Sequence, residues 1–153
     1  MQRLLALLLA ALFALPGAAR DTRLAVHHWS TRDGLPQDTI RGLAQTSDGS
    51  LWMATMGGLV RFDGQQFEAF DIAGHPQIGT SRATCVGVDS AGEILVGTAV
   101  GKPLRRSRGE WIEIHLPNPC ELPVSDVLVD SAGVRWNATV CGLYRLERGS
   151  QLP

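Results

Sequence analysis

The stretch LAQTSDGSLWMATMGGLVRFDG, residues 43–64, decides the fold, because the chain repeats its framework twice more. The pair Ala54 and Thr55 recurs as Gly97 and Thr98 and again as Ala138 and Thr139, at intervals of 43 and then 41 residues. The glycine before that pair keeps the same intervals (Gly49, Gly92, Gly133), and so does the one after it (Gly58, Gly101, Gly142). Each unit reads as a short strand, a Ser-Asp-Gly or Ser-Ala-Gly turn, a second strand ending at the threonine, a glycine-bearing turn and a third strand. A period of about 40 residues with four short strands per unit is the sequence pattern of a β-propeller blade.

Working outward, first strands are expected at 39–46, 83–89 and 127–130, and second strands at 50–55, 93–98 and 134–139. Third strands follow at 59–63, 104–107 and 143–147, and fourth strands at 67–71 and 111–116. After the N-terminal apolar run no stretch carries apolar residues at helical spacing, so the fold class is all-β, with blades of four antiparallel strands. The units cover 39–71, 83–116 and 127–148, about three blades of a partial propeller. Residues 23–29 read as an orphan fourth strand, since they precede Gly34 and Leu35 much as 67–71 precedes the next unit. Trp52 and Trp136 hold the same place in their units, where a large side chain fills the space between adjacent sheets.

The run from Trp52 through Gly64, WMATMGGLVRFDG, with its lead-in WSTRDGLP at 29–36, resembles the two-component regulator propeller repeat. The second unit departs from that pattern, with Leu95 in place of the tryptophan and Lys102-Pro103 interrupting the Gly-Leu-x-Arg run. The third keeps Trp136 and Gly142-Leu143-Tyr144-Arg145 but places Cys141 in the turn. The resemblance implies a periplasmic sensor propeller of the kind fused to a histidine kinase or a diguanylate cyclase. It therefore implies a downstream output module and no enzyme activity in the chain itself.

At the N-terminus, Arg3 precedes an unbroken apolar run over residues 4–15, followed by small residues at Gly17, Ala18 and Ala19. That is the pattern of a secretory signal peptide over 1–19, with the mature chain, 20–153, exported to the periplasm. An apolar run this short falls below the roughly 20 residues that a membrane-spanning helix needs. A formal net charge of −1 leaves no basic footprint for nucleic acid or an anionic membrane. The cluster Arg105, Arg106 and Arg108 reads as a solvated strand and turn. Cys120 and Cys141 fall on the same face, so an oxidising compartment would allow a Cys120–Cys141 disulfide, with Cys85 a buried thiol. Three unpaired cysteines are the alternative, because sequence does not give Cα separations.

Chemistry along the chain is sparse. His27 and His28 are adjacent and point to opposite faces of a strand, and no metalloprotease, nucleophile-elbow or phosphate-loop motif occurs. No cofactor or metal is expected. Asn137-Ala138-Thr139 fits the glycosylation pattern but lies within a strand. In a propeller the turns from second to third strand and the links between blades share one face of the disc. That face gathers 34–38, 56–58, 74–82, 99–101, 118–124 and 140–142, and long loops on a rigid scaffold are where binding residues sit. Asp38, Arg41, His75, Arg82 and Glu121 are the candidate polar contacts for a small molecule or glycan, chosen by position on this face. Three functional classes follow: a ligand-sensing input module, an interaction or remnant propeller module, and a propeller lyase or hydrolase. Three blades do not close a ring, so the sequence is expected to be either part of a longer sensor or a chain that pairs as a homodimer.

Overall fold

The computed structural model describes residues 24–71, 73–78, 82–116 and 121–147. Strands β1 (Ile40–Gln45), β2 (Leu51–Thr55), β3 (Gly58–Phe62) and β4 (Phe67–Phe70) form the first sheet in sequence order. Strands β5 (Ala83–Val88), β6 (Ile94–Thr98), β7 (Leu104–Ser107) and β8 (Glu110–Glu113) form the second. Strands β9 (Val124–Val129), β10 (Arg135–Thr139) and β11 (Gly142–Leu146) form the third. Every pairing is antiparallel. The all-β, blade-like expectation holds, and most strand boundaries fall within a residue or two of it.

Three differences have physical causes. The expected strand at 23–29 is not formed over its described residues, 24–29. A lone segment has no neighbour to take its backbone hydrogen bonds, and here none pairs with it. Instead, Trp29 rests on Phe62 (ring centroids 5.3 Å apart) and Leu35 is buried beside Met53 and Val60, so this segment covers the outer face of the first sheet. The third unit begins at Val124 rather than residue 127: exposed Asp126 masks the strand in sequence, but its backbone pairs with Ala138 and the strand runs through it. The fourth strand of the second unit is confined to Glu110–Glu113 and does not reach residue 116.

The sheets pack face to face. In β6 every residue is buried: Ile94 and Val96 join Trp52, Ala54, Leu59 and Phe70 of the first sheet, while Leu95 joins Val124 and Val127 of the third. A strand buried on both faces reads as a continuous apolar run, which explains Ile94-Leu95-Val96. Glycines allow the inner strands to approach: a Cβ on Gly42 would lie 3.1 Å from the Val86 nitrogen, and one on Gly87 3.1 Å from the Val127 carbonyl oxygen.

The recurring residues that revealed the repeat each do a local job. The buried Thr55 and Thr98 hydroxyls, and that of Thr139, donate to the carbonyl oxygens of Gly58 (2.8 Å), Lys102 (2.8 Å) and Gly142 (3.0 Å). The three threonine hydroxyl oxygens in turn accept from the backbone N–H groups of Gly57, Lys102 and Cys141, which locks each turn from second to third strand. At the opposite end, Gly49, Gly92 and Gly133 have φ of 86°, 79° and 79° and donate to Thr46, Asp89 and Asp130 carbonyls at 2.9 Å. Only glycine takes that left-handed backbone without strain.

Candidate functional site

The face bearing the turns from second to third strand is built on repeated irregularities. Each inner strand carries a bulge one residue before its register resumes, at Arg41, Thr84 and Ser125. A bulge leaves its residue unpaired and re-aims the side chain. The Thr84 hydroxyl uses this freedom to donate to the Val124 carbonyl across the sheet boundary. Arg41 is exposed and its Nε–H donates to the Met56 sulfur at 3.1 Å. Gln37, which sequence reasoning passed over, ties the entry link to the first blade: its Oε1 accepts from the Met56 N–H at 3.0 Å.

The other candidates hold separate positions. Asp38 is exposed, and its carboxylate accepts from the Thr31 N–H at 2.7 Å and from the Thr31 hydroxyl at 3.4 Å. His75 stacks on Phe70, with ring centroids 5.1 Å apart. Arg82 is exposed just before β5, and its carbonyl accepts from the Ala99 N–H at 3.2 Å. Glu121 is exposed in the link into β9. Topology places all five on one face, and among the described residues no hydrogen bond or ion pair joins any two of Asp38, Arg41, His75 and Glu121. Cys141 is disulfide-bonded and Cys85 is a free, buried thiol, pushed up to about 11 by burial. Cys120 lies outside the described residues.

Among the described residues no group of three or more His, Cys, Asp or Glu side chains is arranged to hold a metal ion. The shifted carboxylates are turn residues. Asp48 is held below the usual range chiefly by the Thr46 hydroxyl, Asp63 by the Gln66 N–H, and Asp130 by the Trp136 indole N–H at 3.0 Å. Asn137, in the glycosylation pattern, is 2% exposed in mid-strand and closed to modification in the folded chain.

The opposite face, with the turns from first to second strand, holds a network of ion pairs. Between the second and third sheets, Arg105 pairs with Glu93 at 2.8 Å, while Arg135 reaches Asp89 at 3.4 Å and Glu93 at 3.6 Å. The arginine cluster is thus not a solvated strand: Arg105 is half-buried in this network, and Arg106 lies among aromatic rings. Charge alone suggested an outer surface, because nothing in the cluster reveals its cross-sheet partners.

The resemblance read from the sequence is borne out. Residues 34–57 match the family model described as Two component regulator propeller. No match is found among curated proteins. Among solved structures, the chain is similar to the extracellular domain of the hybrid two component system BT4673 from B. thetaiotaomicron, at 24% identity and a TM-score of 0.64, over 76% of this chain and 16% of that one. It is similar to the corresponding domain of BT3049 from the same organism, at 20% identity and a TM-score of 0.60, over 80% and 19% of the two chains. The virginiamycin B lyase of Staphylococcus aureus gives 18% identity and a TM-score of 0.54, over 73% and 42%. At these identities the likeness shows the propeller fold. The chain spans under a fifth of the length of either sensor domain.

Proposed function

We propose that this chain is a ligand-sensing input module of an exported signal-transduction receptor, non-catalytic itself and acting as part of a larger propeller. The match of residues 34–57 to the two-component regulator propeller carries the reading, since that segment holds the bulged β1 and the turn that Gln37 and Arg41 brace. Among the described residues no helix is long and apolar enough to cross a membrane, which accords with a periplasmic location after removal of a signal peptide over 1–19. The stimulus is a small molecule or glycan held by the loops around Asp38, Arg41, His75, Arg82 and Glu121. A disulfide between Cys120 and Cys141 braces the same face. A histidine kinase or diguanylate cyclase downstream reads the state.

The third sheet supplies the docking face. Leu143 and Trp136 stand at the repeat positions of Leu59 and Trp52, yet Leu143 is 65% exposed where Leu59 is 2% exposed against the second sheet. A face shaped to receive a sheet takes another of the same kind, from further blades or from a second copy. Thermal-shift screening of the exported chain against small molecules and oligosaccharides tests the sensing role. A stabilising ligand whose effect is lost in both Arg41→Ala and Arg82→Ala supports it. A stabilising ligand equally effective in both variants rejects this face, and catalytic turnover of any bound compound rejects the non-catalytic reading.

A further inference from the structure

We propose that the groove between the first and second sheets, on the face opposite the candidate loops, binds a small anion bearing a carboxylate, phosphate or sulfate group. Two junctions are built from one repeat and differ in charge. Between the second and third sheets, the turn of the earlier blade offers Asp89 and Glu93 to Arg105 and Arg135, and the cations are matched. Between the first and second sheets the residues at the places of Asp89 and Glu93 are Thr46 and Ser50, 43 positions earlier. Neither brings a charge. Cations are nevertheless present: Arg61 pairs with Trp52 as Arg105 pairs with Leu95, and, although Ile94 stands at the place of Arg135, its strand partner Arg106 and Arg108 in the turn after β7 face this junction from the following sheet.

These side chains line a groove of about 420 Å³, with Asp48 as its one carboxylate. That volume is within the range of small-molecule sites. Asp48 serves Arg61, at 3.6 Å, and Arg61 also reaches Glu68 at 3.6 Å and the Ser50 hydroxyl at 3.0 Å. Arg106 and Arg108 have no ion pair among the described residues. The Arg106 guanidinium carbon lies 5.6 Å from the Trp52 ring centroid, 5.1 Å from that of Phe70 and 5.9 Å from that of Trp111. Its Nε is buried with no hydrogen-bond partner.

Three ring faces attract the cation but accept few of its five N–H donors. They also strip water from it, so an unpaired donor there is costly and an arriving anion is worth more than at an open surface. A group with two acceptor oxygens side by side is what this geometry lacks, and carboxylate, phosphate and sulfate all supply one. The aromatic rings give the groove its rigidity rather than its contacts: Trp52 is 3% exposed and unavailable for stacking a ligand.

The test follows the Arg106 Nε–Hε resonance of the whole mature chain while inorganic phosphate, sulfate or acetate is added at constant ionic strength. A saturable shift is expected, and the rank order of the three probes identifies the preferred acceptor. Arg106→Met keeps apolar length beneath the rings, and its binding, read by calorimetry, should weaken at least tenfold. Arg108→Gln should weaken it severalfold. Thr46→Asp restores the carboxylate that Asp89 supplies at the other junction, at the loss of the Thr46 hydroxyl bonds to Asp48 and the Ser50 carbonyl, and it should abolish binding. Arg145→Gln alters a cation–ring pair on the third sheet, 5.7 Å from Trp136, and should leave binding unchanged. A shift that never saturates, or equal affinity in wild type, Arg108→Gln and Thr46→Asp, overturns the proposal even if Arg106→Met fails to fold.

Discussion

Replacing Gly97 by alanine would make the second repeat conform to its neighbours, which carry Ala54 and Ala138 at that place, yet it should destabilise the protein. A Cβ there would lie 2.3 Å from the Cys85 sulfur and 2.9 Å from both Cβ and Cγ1 of Val124. The sulfur can rotate away, but the Val124 Cβ is fixed to β9, and Val124 is fully buried. The clash therefore cannot be relieved by a side-chain turn alone; β9 must shift on the second sheet. Overpacking of a core by one methyl typically costs about 1–3 kcal/mol, and two simultaneous contacts inside 3 Å place this case near about 3 kcal/mol. In a domain of this size that lowers the melting temperature by roughly 10 °C. The first blade shows the compensation. There Gly42 faces Ala54 across the strands, whereas in the second blade Cys85 faces Gly97, so the pair exchanges which member is larger. Urea unfolding of Gly97→Ala, Cys85→Ala and the double variant measures the coupling. The double variant should recover at least about 1 kcal/mol relative to the sum of the single changes. A Gly97→Ala midpoint indistinguishable from wild type, or strict additivity in the cycle, would refute the steric reasoning.

Three further outcomes are expected. Non-reducing peptide mapping should recover Cys141 bridged to Cys120 and Cys85 as a thiol slow to alkylate at pH 8, and reducing the bridge should cost about 3 kcal/mol; a Cys85-containing bridge contradicts this. Asn137→Val should stabilise by about 1–2 kcal/mol, because Nδ2 is buried without a partner while Met53 and Val96 hold the same place in the other blades; a loss of stability would point to a bond that Asn137 needs. Asp48, Asp63 and Asp130 are depressed from the ordinary 3.8, so their contribution is present above that pH and is lost as pH falls below it through the folded values; Asp130→Asn should flatten this acid limb, and an unchanged limb would sink the assignment.

The fold was legible because each recurring residue performs a local task that leaves a fixed sequence mark. Thr55, Thr98 and Thr139 close their turns with their own hydroxyls, and Gly49, Gly92 and Gly133 supply left-handed backbone. Neither task depends on distant residues, so the period shows through divergence elsewhere. The segment at 24–29 misled because a place in the repeat makes a strand only if a partner exists, and pairing is a tertiary fact. Asp126 hid the start of β9 for the complementary reason: its side chain is polar, while its backbone follows its neighbours into the sheet. The site was less legible still. Asp38, Arg41, His75, Arg82 and Glu121 share a face by topology, but position on a face says nothing of which side chains converge. Arg106 looked solvated because the rings around it come from residues 52, 70 and 111.

Three copies of one unit also provide an internal control on which polar groups the fold itself requires. Where all three agree, as at the turn threonines, the residue serves the blade. Where they differ, the change is either answered from within or left open. The Cys85–Gly97 pair is answered: volume lost at one position returns at its neighbour. The exchange of Asp89 and Glu93 for Thr46 and Ser50 is not, since Arg61, Arg106 and Arg108 line that junction and among the described residues only Arg61 finds carboxylates. Among the described residues the buried polar atoms without partners are Arg106 Nε, Trp111 Nε1 and Asn137 Nδ2. Asn137 and Trp111 are neutral, and an unmade bond at either is a tolerable loss in stability. Arg106 carries a permanent charge into a half-buried cleft, where the penalty is larger and a hydrogen-bonding anion relieves it. An uncompensated departure from the repeat at a charged residue that lines a cavity is therefore the place where this chain calls for a group that the blades do not supply.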